Sequence, residues 1–258
     1  MNTVTSADGT SIAYTKRGDG RAVVIVNGAL STAADAAGLA TALDEAGFTA
    51  VTWDRRARGA SGDARGSTPE REAEDLAAVI DAVGGEAAVL GHSSGAVLAL
   101  FAASRGVPVQ ALFLSEPPLR FGEDEPADDL ADRLQADVDA GRLDEAVVTF
   151  QLEGVGLPRE MVDGIRASDQ FAGMLPLAQS TVYDTNLVRV CSTPSAEMLE
   201  ISAPVTVLRG EQTFPVLLTA ADRLSEAIEG AELVVVPESV MHRPDPAATA
   251  RVVRERLR

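Results

Sequence analysis

Strand-like and helix-like segments alternate along this 258-residue chain, which predicts an α/β fold: a mostly parallel, twisted, eight-stranded sheet with helices on both faces. Three observations carry the prediction. Short continuous apolar runs such as Ala22-Val23-Val24-Ile25-Val26 suit strands buried on both faces. Ala/Leu-rich helical segments fall between them. The run Ala87-Ala88-Val89-Leu90 leads straight into Gly91-His92-Ser93-Ser94-Gly95 and then into an apolar helix, a strand-turn-helix unit.

The opening differs from the rest. Val4 to Thr15 places an Asp8-Gly9 turn between two short β-prone runs and reads as an antiparallel hairpin at the sheet edge. Ala22 to Val26 and Thr49-Ala50-Val51-Thr52-Trp53 read as parallel strands, with a helix from Asp35 to Ala46 between them. Thr68-Pro69-Glu70 pairs an N-cap with proline at the first helical position and opens a helix to about Val83. After the strand at Ala87 to Leu90, the helix Ala96 to Ala103 is apolar on all sides and therefore central. Ala111-Leu112-Phe113-Leu114 is the next strand, ending at Ser115-Glu116-Pro117-Pro118.

From Leu119 to about Ile201 the alternation stops. This stretch is acidic at first (Glu123-Asp124-Glu125, Asp128-Asp129), then shows helical spacing over Leu130 to Ala140 and Leu143 to Gln151. An unstructured loop of that length is foreign to a compact domain, so residues 119–201 read as a helical cap inserted between core segments 1–118 and 202–258 of a single domain. The alternation resumes with the strand Val205 to Leu208, a helix over Val216 to Ile228, the strand Leu233 to Val236 and a closing helix from Pro246 to Leu257.

The composition, 46% hydrophobic and 24% charged, is that of an ordinary globular chain long enough to bury one sizeable core. With 39 acidic against 22 basic side chains the net charge is −17, a field that repels phosphate backbones and anionic headgroups. Nucleic acid and membrane are therefore not expected partners; a small-molecule substrate is, and a homodimer stays open. The single cysteine, Cys191, cannot form an internal disulfide, and no Cys/His spacing suggests a metal, so no cofactor is expected. Met1 to Asp8 lacks a basic stretch followed by an apolar one, and the expectation is a cytoplasmic protein.

Ser93 is the candidate nucleophile, because a serine exposed on a sharp strand-to-helix turn needs small residues two positions away on either side, here Gly91 and Gly95. A serine hydroxyl needs a general base. The chain has two histidines: His92 within the turn, its side chain expected to point away from the hydroxyl, and His242 in the loop after the last strand. His242 is the candidate base. Two carboxylates compete to orient it, Glu116 at a strand tip and Glu211 in the loop Arg209 to Pro215, with position favouring Glu116. Backbone N–H groups of Ala29 and Ser94 are the candidate oxyanion donors. Asn27 can hydrogen-bond within the Asn27-Gly28-Ala29 turn, and Asp222 and Asp245 read as a helix-face charge and a helix-start residue.

The elbow Gly91 to Gly95, the segment Trp53-Asp54-Arg55-Arg56-Ala57-Arg58-Gly59-Ala60-Ser61, the Glu116-Pro117-Pro118 strand end and the late His242 together resemble the α/β-hydrolase superfamily over essentially the whole chain, and look like a bacterial subgroup of small hydrolases. The resemblance implies the α/β-hydrolase fold and the order nucleophile, acid, base. Two departures stand out: Asn27-Gly28 replaces the family's common His-Gly, and Thr213 stands at its usual acid position. Ala57 stands where the family typically has Gly, and the arginines beside it are expected to knit loops together.

The leading function is a serine hydrolase cleaving a small carboxylic ester, lactone or thioester through an acyl-enzyme on Ser93. Apolar cap residues Phe150, Leu152, Val155, Phe171, Met174 and Leu175 are candidates to roof the pocket, although ordinary packing explains most of them. The alternative is a cofactor-independent lyase, cyclase or C–C bond hydrolase on the same fold, and behind it a non-catalytic ligand binder.

Overall fold

A computed structural model describes residues 1–123 and 125–257; Asp124 of the acidic run and Arg258, the last residue of the expected core segment, lie outside the described residues. The strands are β1 (Asn2–Thr5), β2 (Ser11–Arg17), β3 (Ala22–Val26), β4 (Thr49–Trp53), β5 (Ala87–His92), β6 (Val109–Ser115), β7 (Val205–Arg209) and β8 (Glu232–Val235). They form one sheet in the order β1-β2-β4-β3-β5-β6-β7-β8, with β1 and β2 antiparallel and β3 to β8 parallel. The expected eight-stranded, mostly parallel α/β sheet is thus the one observed.

Helices α1 (Ala37–Glu45), α2 (Pro69–Ala82) and α3 (Ser94–Ser104) follow β3, β4 and β5. Between β6 and β7 lie α4 (Leu130–Asp139), α5 (Leu143–Thr149), α6 (Arg159–Arg166), α7 (Phe171–Met174), α8 (Ala178–Cys191) and α9 (Ala196–Leu199), and α10 (Pro215–Ala227) and α11 (Pro246–Arg256) complete the chain.

The period of two along each strand sorts its side chains between two cores. Val24 and Val26 of β3, Val89 of β5 and Leu112 and Leu114 of β6 pack with Leu76 of α2, Ala96 to Ala102 of α3 and Leu224 of α10. Val23, Ile25, Leu90 and Phe113 point the other way, onto Leu43 of α1 and Val253 of α11. Helix α3 is apolar all round because the sheet covers one side and α2 and α8 the other.

Local departures from expectation are small. The helix expected from Asp35 opens as a 3₁₀ turn, Ala33–Ala36, before α1. Thr68 has the extended backbone of an N-cap ahead of Pro69, yet its side chain makes no capping bond. The helix expected to reach Gln151 stops at Thr149 and continues as a π-helix over Phe150–Val155, which buries both Phe150 and Gln151. Between β6 and β7, Leu130, Leu134, Val147, Phe150, Phe171 and Val182 share a third apolar cluster, and Ala29, Leu30 and Ala57 pack against it with Met174 and Leu175. Val155 instead faces solvent, 42% exposed.

The strand order places the site. The chain runs from β3 outward to β4, then crosses back to β5 on the other side of β3, so the loops after β3 and β5 diverge at the carboxyl ends of adjacent strands, Val26 opposite Gly91. Such a reversal opens a crevice where open α/β sheets bind ligands. Among the described residues no helix is long and apolar enough to cross a membrane.

Candidate active site

Ser93 sits between β5 and α3 with φ 55° and ψ −129°, a conformation that costs a non-glycine residue roughly 1–3 kcal/mol and persists only where neighbours over-determine it. They do so here. The Ser93 N–H donates to the Ser115 carbonyl of β6 at 2.9 Å, and its own carbonyl accepts from Ala96 N–H at 2.9 Å as α3 begins. The flanking glycines are sterically required: a Cβ on Gly91 would lie 2.5 Å from Ala96 Cα, and one on Gly95 would overlap the Val26 carbonyl. Gly28 belongs to the same device, since a Cβ there would stand 2.8 Å from Ser93 Cβ. The loop after β3 therefore passes directly beside the serine.

His242 follows β8 at φ 61°, in a turn secured by Met241 N–H donating to the Gln212 carbonyl at 2.6 Å. Its Nδ1–H donates to Glu116 Oε2 at 2.5 Å. Glu116, immediately past β6 and only 3% exposed, also accepts from Gly210 N–H at 2.9 Å and from the Thr213 hydroxyl at 3.0 Å. Burial alone would raise the Glu116 pKa, but the hydrogen bonds from His242, Gly210 and Thr213 and the proximity of the imidazole outweigh it and hold the carboxyl below its ordinary range. An ionised carboxylate only accepts, so in the neutral imidazole the proton is fixed on Nδ1 and the lone pair on Nε2.

Of the two candidate carboxylates the structure brings Glu116 to His242 and leaves Glu211 exposed, with no side-chain contact to the histidine among the described residues. The reason is topological: β6 and β7 are neighbours, so the tip of β6 lies under the loop that starts at Gly210. Thr213, at the place where the resembled family carries its acid, reaches the same carboxylate through its hydroxyl.

The amides of Ala29 and of Ser94, the latter the first N–H of α3 and so without an intrahelical partner, meet no acceptor among the described residues. Asn27 does bond within its loop, its amide donating to the Thr32 carbonyl at 2.6 Å. Asp245 caps α11 by accepting from Ala248 N–H at 2.8 Å, and Asp222 pairs with Arg209 at 2.8 Å. Burial pushes the Cys191 thiol up to about 12, which leaves it a weak nucleophile at neutral pH.

His92, expected to point away from the serine hydroxyl, has its ring 4.5 Å from that of His242, tilted by 40°, with Nδ1 3.4 Å from the Ser115 hydroxyl. Burial first, then repulsion by His242, pull its pKa down to about 3, so it stays neutral. No spacing rule reveals this, because the contact depends on how the loop after β8 folds back.

The three arginines do knit loops together. Arg56 pairs with Asp75 at 2.7 Å and Asp8 at 3.0 Å; Arg55 pairs with Glu72 at 2.7 Å and Asp184 at 2.9 Å; Arg58 pairs with Asp184 at 2.6 Å. Asp184, on α8, stands in no motif that marks it in the sequence. Ala57 has φ 60°, the left-handed conformation that explains the glycine of the resembled family at this place. Among the described residues no group of His, Cys, Asp and Glu is arranged to hold a metal ion.

The profile of the family Serine aminopeptidase, S33, matches residues 19–161. An alpha/beta hydrolase from Sphaerobacter thermophilus DSM 20745 is 40% identical, with a TM-score of 0.91 over 98% of this chain and 99% of that one. A thermophilic esterase from Thermogutta terrifontis (20% identity, TM-score 0.73, 99% and 97% covered) and the enol-lactonase from Burkholderia xenovorans LB400 (18%, 0.71, 99% and 99%) share the fold. No curated protein matches the sequence.

Proposed function

The chain belongs to the α/β-hydrolase superfamily, and on that footing we propose that it is a serine hydrolase that cleaves a small carboxylic ester, lactone or thioester through an acyl-enzyme on Ser93. The observation that carries this reading is the 2.5 Å hydrogen bond from His242 Nδ1 to the buried Glu116, on a histidine that follows the last strand of a sheet whose central turn presents Ser93.

In this mechanism Nε2 of His242 takes the proton of Ser93 Oγ as the hydroxyl attacks the substrate carbonyl, and the Glu116 carboxylate stabilises the imidazolium that forms. The Ala29 and Ser94 N–H groups take the oxyanion of the tetrahedral intermediate. Collapse expels the alcohol or thiol, which His242 protonates, and a water activated by the same nitrogen releases the acid and restores Ser93. Thr213 standing at the family's usual acid position would favour the non-hydrolytic alternative. Glu116, with Thr213 hydrogen-bonded to it, weakens that ground.

The test is intact-protein mass after exposure to a fluorophosphonate, on the native chain and on Ser93→Ala and His242→Ala. One adduct per native chain, lost in both variants, is the expected result. No adduct on folded native protein refutes the reading.

A further inference from the structure

Asp184 lies in the cap, on α8, far in sequence from every residue given a role in the proposed reaction, and is fully buried at 1% exposure. Its carboxylate gathers three donors, each of which holds backbone beside Ser93. Oδ1 accepts the Ser94 hydroxyl at 2.7 Å and Arg55 Nη1 at 2.9 Å; Oδ2 accepts Arg58 Nη2 at 2.6 Å. Arg58 Nη1 in turn donates to the Gly28 carbonyl at 2.5 Å, and Arg55 Nη1 to the Asn27 carbonyl at 3.3 Å. The Ser31 hydroxyl is a second donor to the Gly28 carbonyl, at 2.6 Å.

These contacts decide where two N–H groups point. A trans peptide is planar, with its C=O and N–H directed oppositely, and the described chain contains no cis bond. Holding the Gly28 carbonyl on Arg58 and Ser31 therefore turns the Ala29 N–H to the other side of that peptide. Gly28 itself passes within van der Waals reach of Ser93. At the second donor, the hydroxyl bond from Ser94 to Asp184 fixes the first residue of α3, whose N–H is the other candidate. The charge balance points the same way. Arg55 and Arg58 are both buried, Glu72 is engaged bidentately by Arg55, and Asp184 is the carboxylate that meets Arg58 directly. Burial and the neighbouring Arg55 pull the Arg58 pKa down to about 10, still charged at neutral pH, so its loss of a partner would leave a buried cation unpaired.

We propose that Asp184 is a positioning residue for the oxyanion site, holding Arg58 and Ser94 from the cap so that the Ala29 and Ser94 amides converge beside Ser93. The inference rests on the acyl-transfer reading above. It makes the cap part of the catalytic geometry as well as a cover for the substrate.

Asp184→Asn keeps the side-chain shape and one acceptor but presents an amide N–H₂ or a neutral oxygen to Arg58. Turnover of a chromogenic ester and inhibition by a trifluoromethyl ketone, whose adduct carries an oxyanion, are measured per reactive site counted with fluorophosphonate. The expected result is a fall in kcat of about 10- to 100-fold with KM within about 3-fold, and a ketone inhibition constant raised by the same factor as kcat falls. Ser94→Ala removes the 2.7 Å hydroxyl bond to Asp184 while keeping the Ser94 amide, and is expected to lower kcat about 3- to 10-fold with the fold intact. It decides the matter alone if Asp184→Asn does not fold. Native kcat in the folded variants, or a kcat loss without matching loss of ketone affinity, overturns the inference while the acyl-transfer reading stands. A native chain that is neither labelled nor active overturns both.

Discussion

Replacing Glu116 by glutamine probes the proposed triad at the point where this chain departs from its family. Glutamine keeps the carboxylate's shape and one acceptor, and the site makes competing demands on it. If the oxygen takes the Gly210 N–H, bound at 2.9 Å in the native chain, the amide nitrogen faces His242 Nδ1 at the 2.5 Å contact. Two donors then oppose each other, and the imidazole escapes by moving its proton to Nε2, which disarms it as a base. If the oxygen takes His242 instead, the nitrogen opposes the Gly210 N–H, a buried clash costing about 1–3 kcal/mol. In both cases the imidazolium of the transition state loses a counter-charge worth about 4 kcal/mol at an effective dielectric of about 20. The lost counter-charge raises the barrier by about 4 kcal/mol and the displaced tautomer adds to it, so kcat is expected to fall about 10³- to 10⁴-fold. The assay is p-nitrophenyl ester turnover, with circular dichroism to verify folding and Glu211→Gln as the control expected to stay within about 2-fold of native. A folded Glu116→Gln variant that keeps kcat within about 10-fold of native refutes the assignment.

Thr213→Val removes the 3.0 Å hydroxyl bond to the same carboxylate, and a kcat lower by about 10-fold is expected from the same assay. His92 resists protonation down to about pH 3 when folded but takes up a proton near 6.5 when unfolded, so its contribution to stability falls as the pH falls below 6.5. Urea midpoints at pH 6.5 and roughly 4.5 should show the native chain losing about 2 kcal/mol more than His92→Asn; parallel losses would contradict this. Ala57→Gly relieves the φ of 60° and is expected to raise stability by about 0.5–1 kcal/mol in thermal unfolding. Gly95→Ala drives a methyl group into the Val26 carbonyl and should abolish fluorophosphonate labelling, because the strand-turn-helix unit that holds Ser93 cannot form without moving β3.

Much of the candidate site was legible in the chain because its parts depend on local geometry. The Gly91 to Gly95 elbow is defined by steric limits two residues on each side of Ser93, and those limits are written in residue identity. His242 could be picked out as the histidine after the last strand, and Glu116 could be favoured over Glu211 because a strand tip has a predictable place. The Asp245 cap and the Asn27 turn bond are equally local. The π-helix over Phe150–Val155 was not legible, since the choice between α and π spacing is made by what the helices between β6 and β7 bury.

The sequence by itself determined the parallel α/β architecture and the positions of its strands, and it singled out a candidate serine and a candidate histidine. Those features follow from hydrophobic periodicity and from steric rules that act within a few residues. Only the tertiary structure decided which carboxylate meets His242, that His92 packs against that same imidazole, and that Asp184 joins α8 to the loops beside Ser93. Each of these is a contact between segments far apart in the chain. It depends on strand order and loop path, and a buried ion pair leaves no periodic trace in the residues around it.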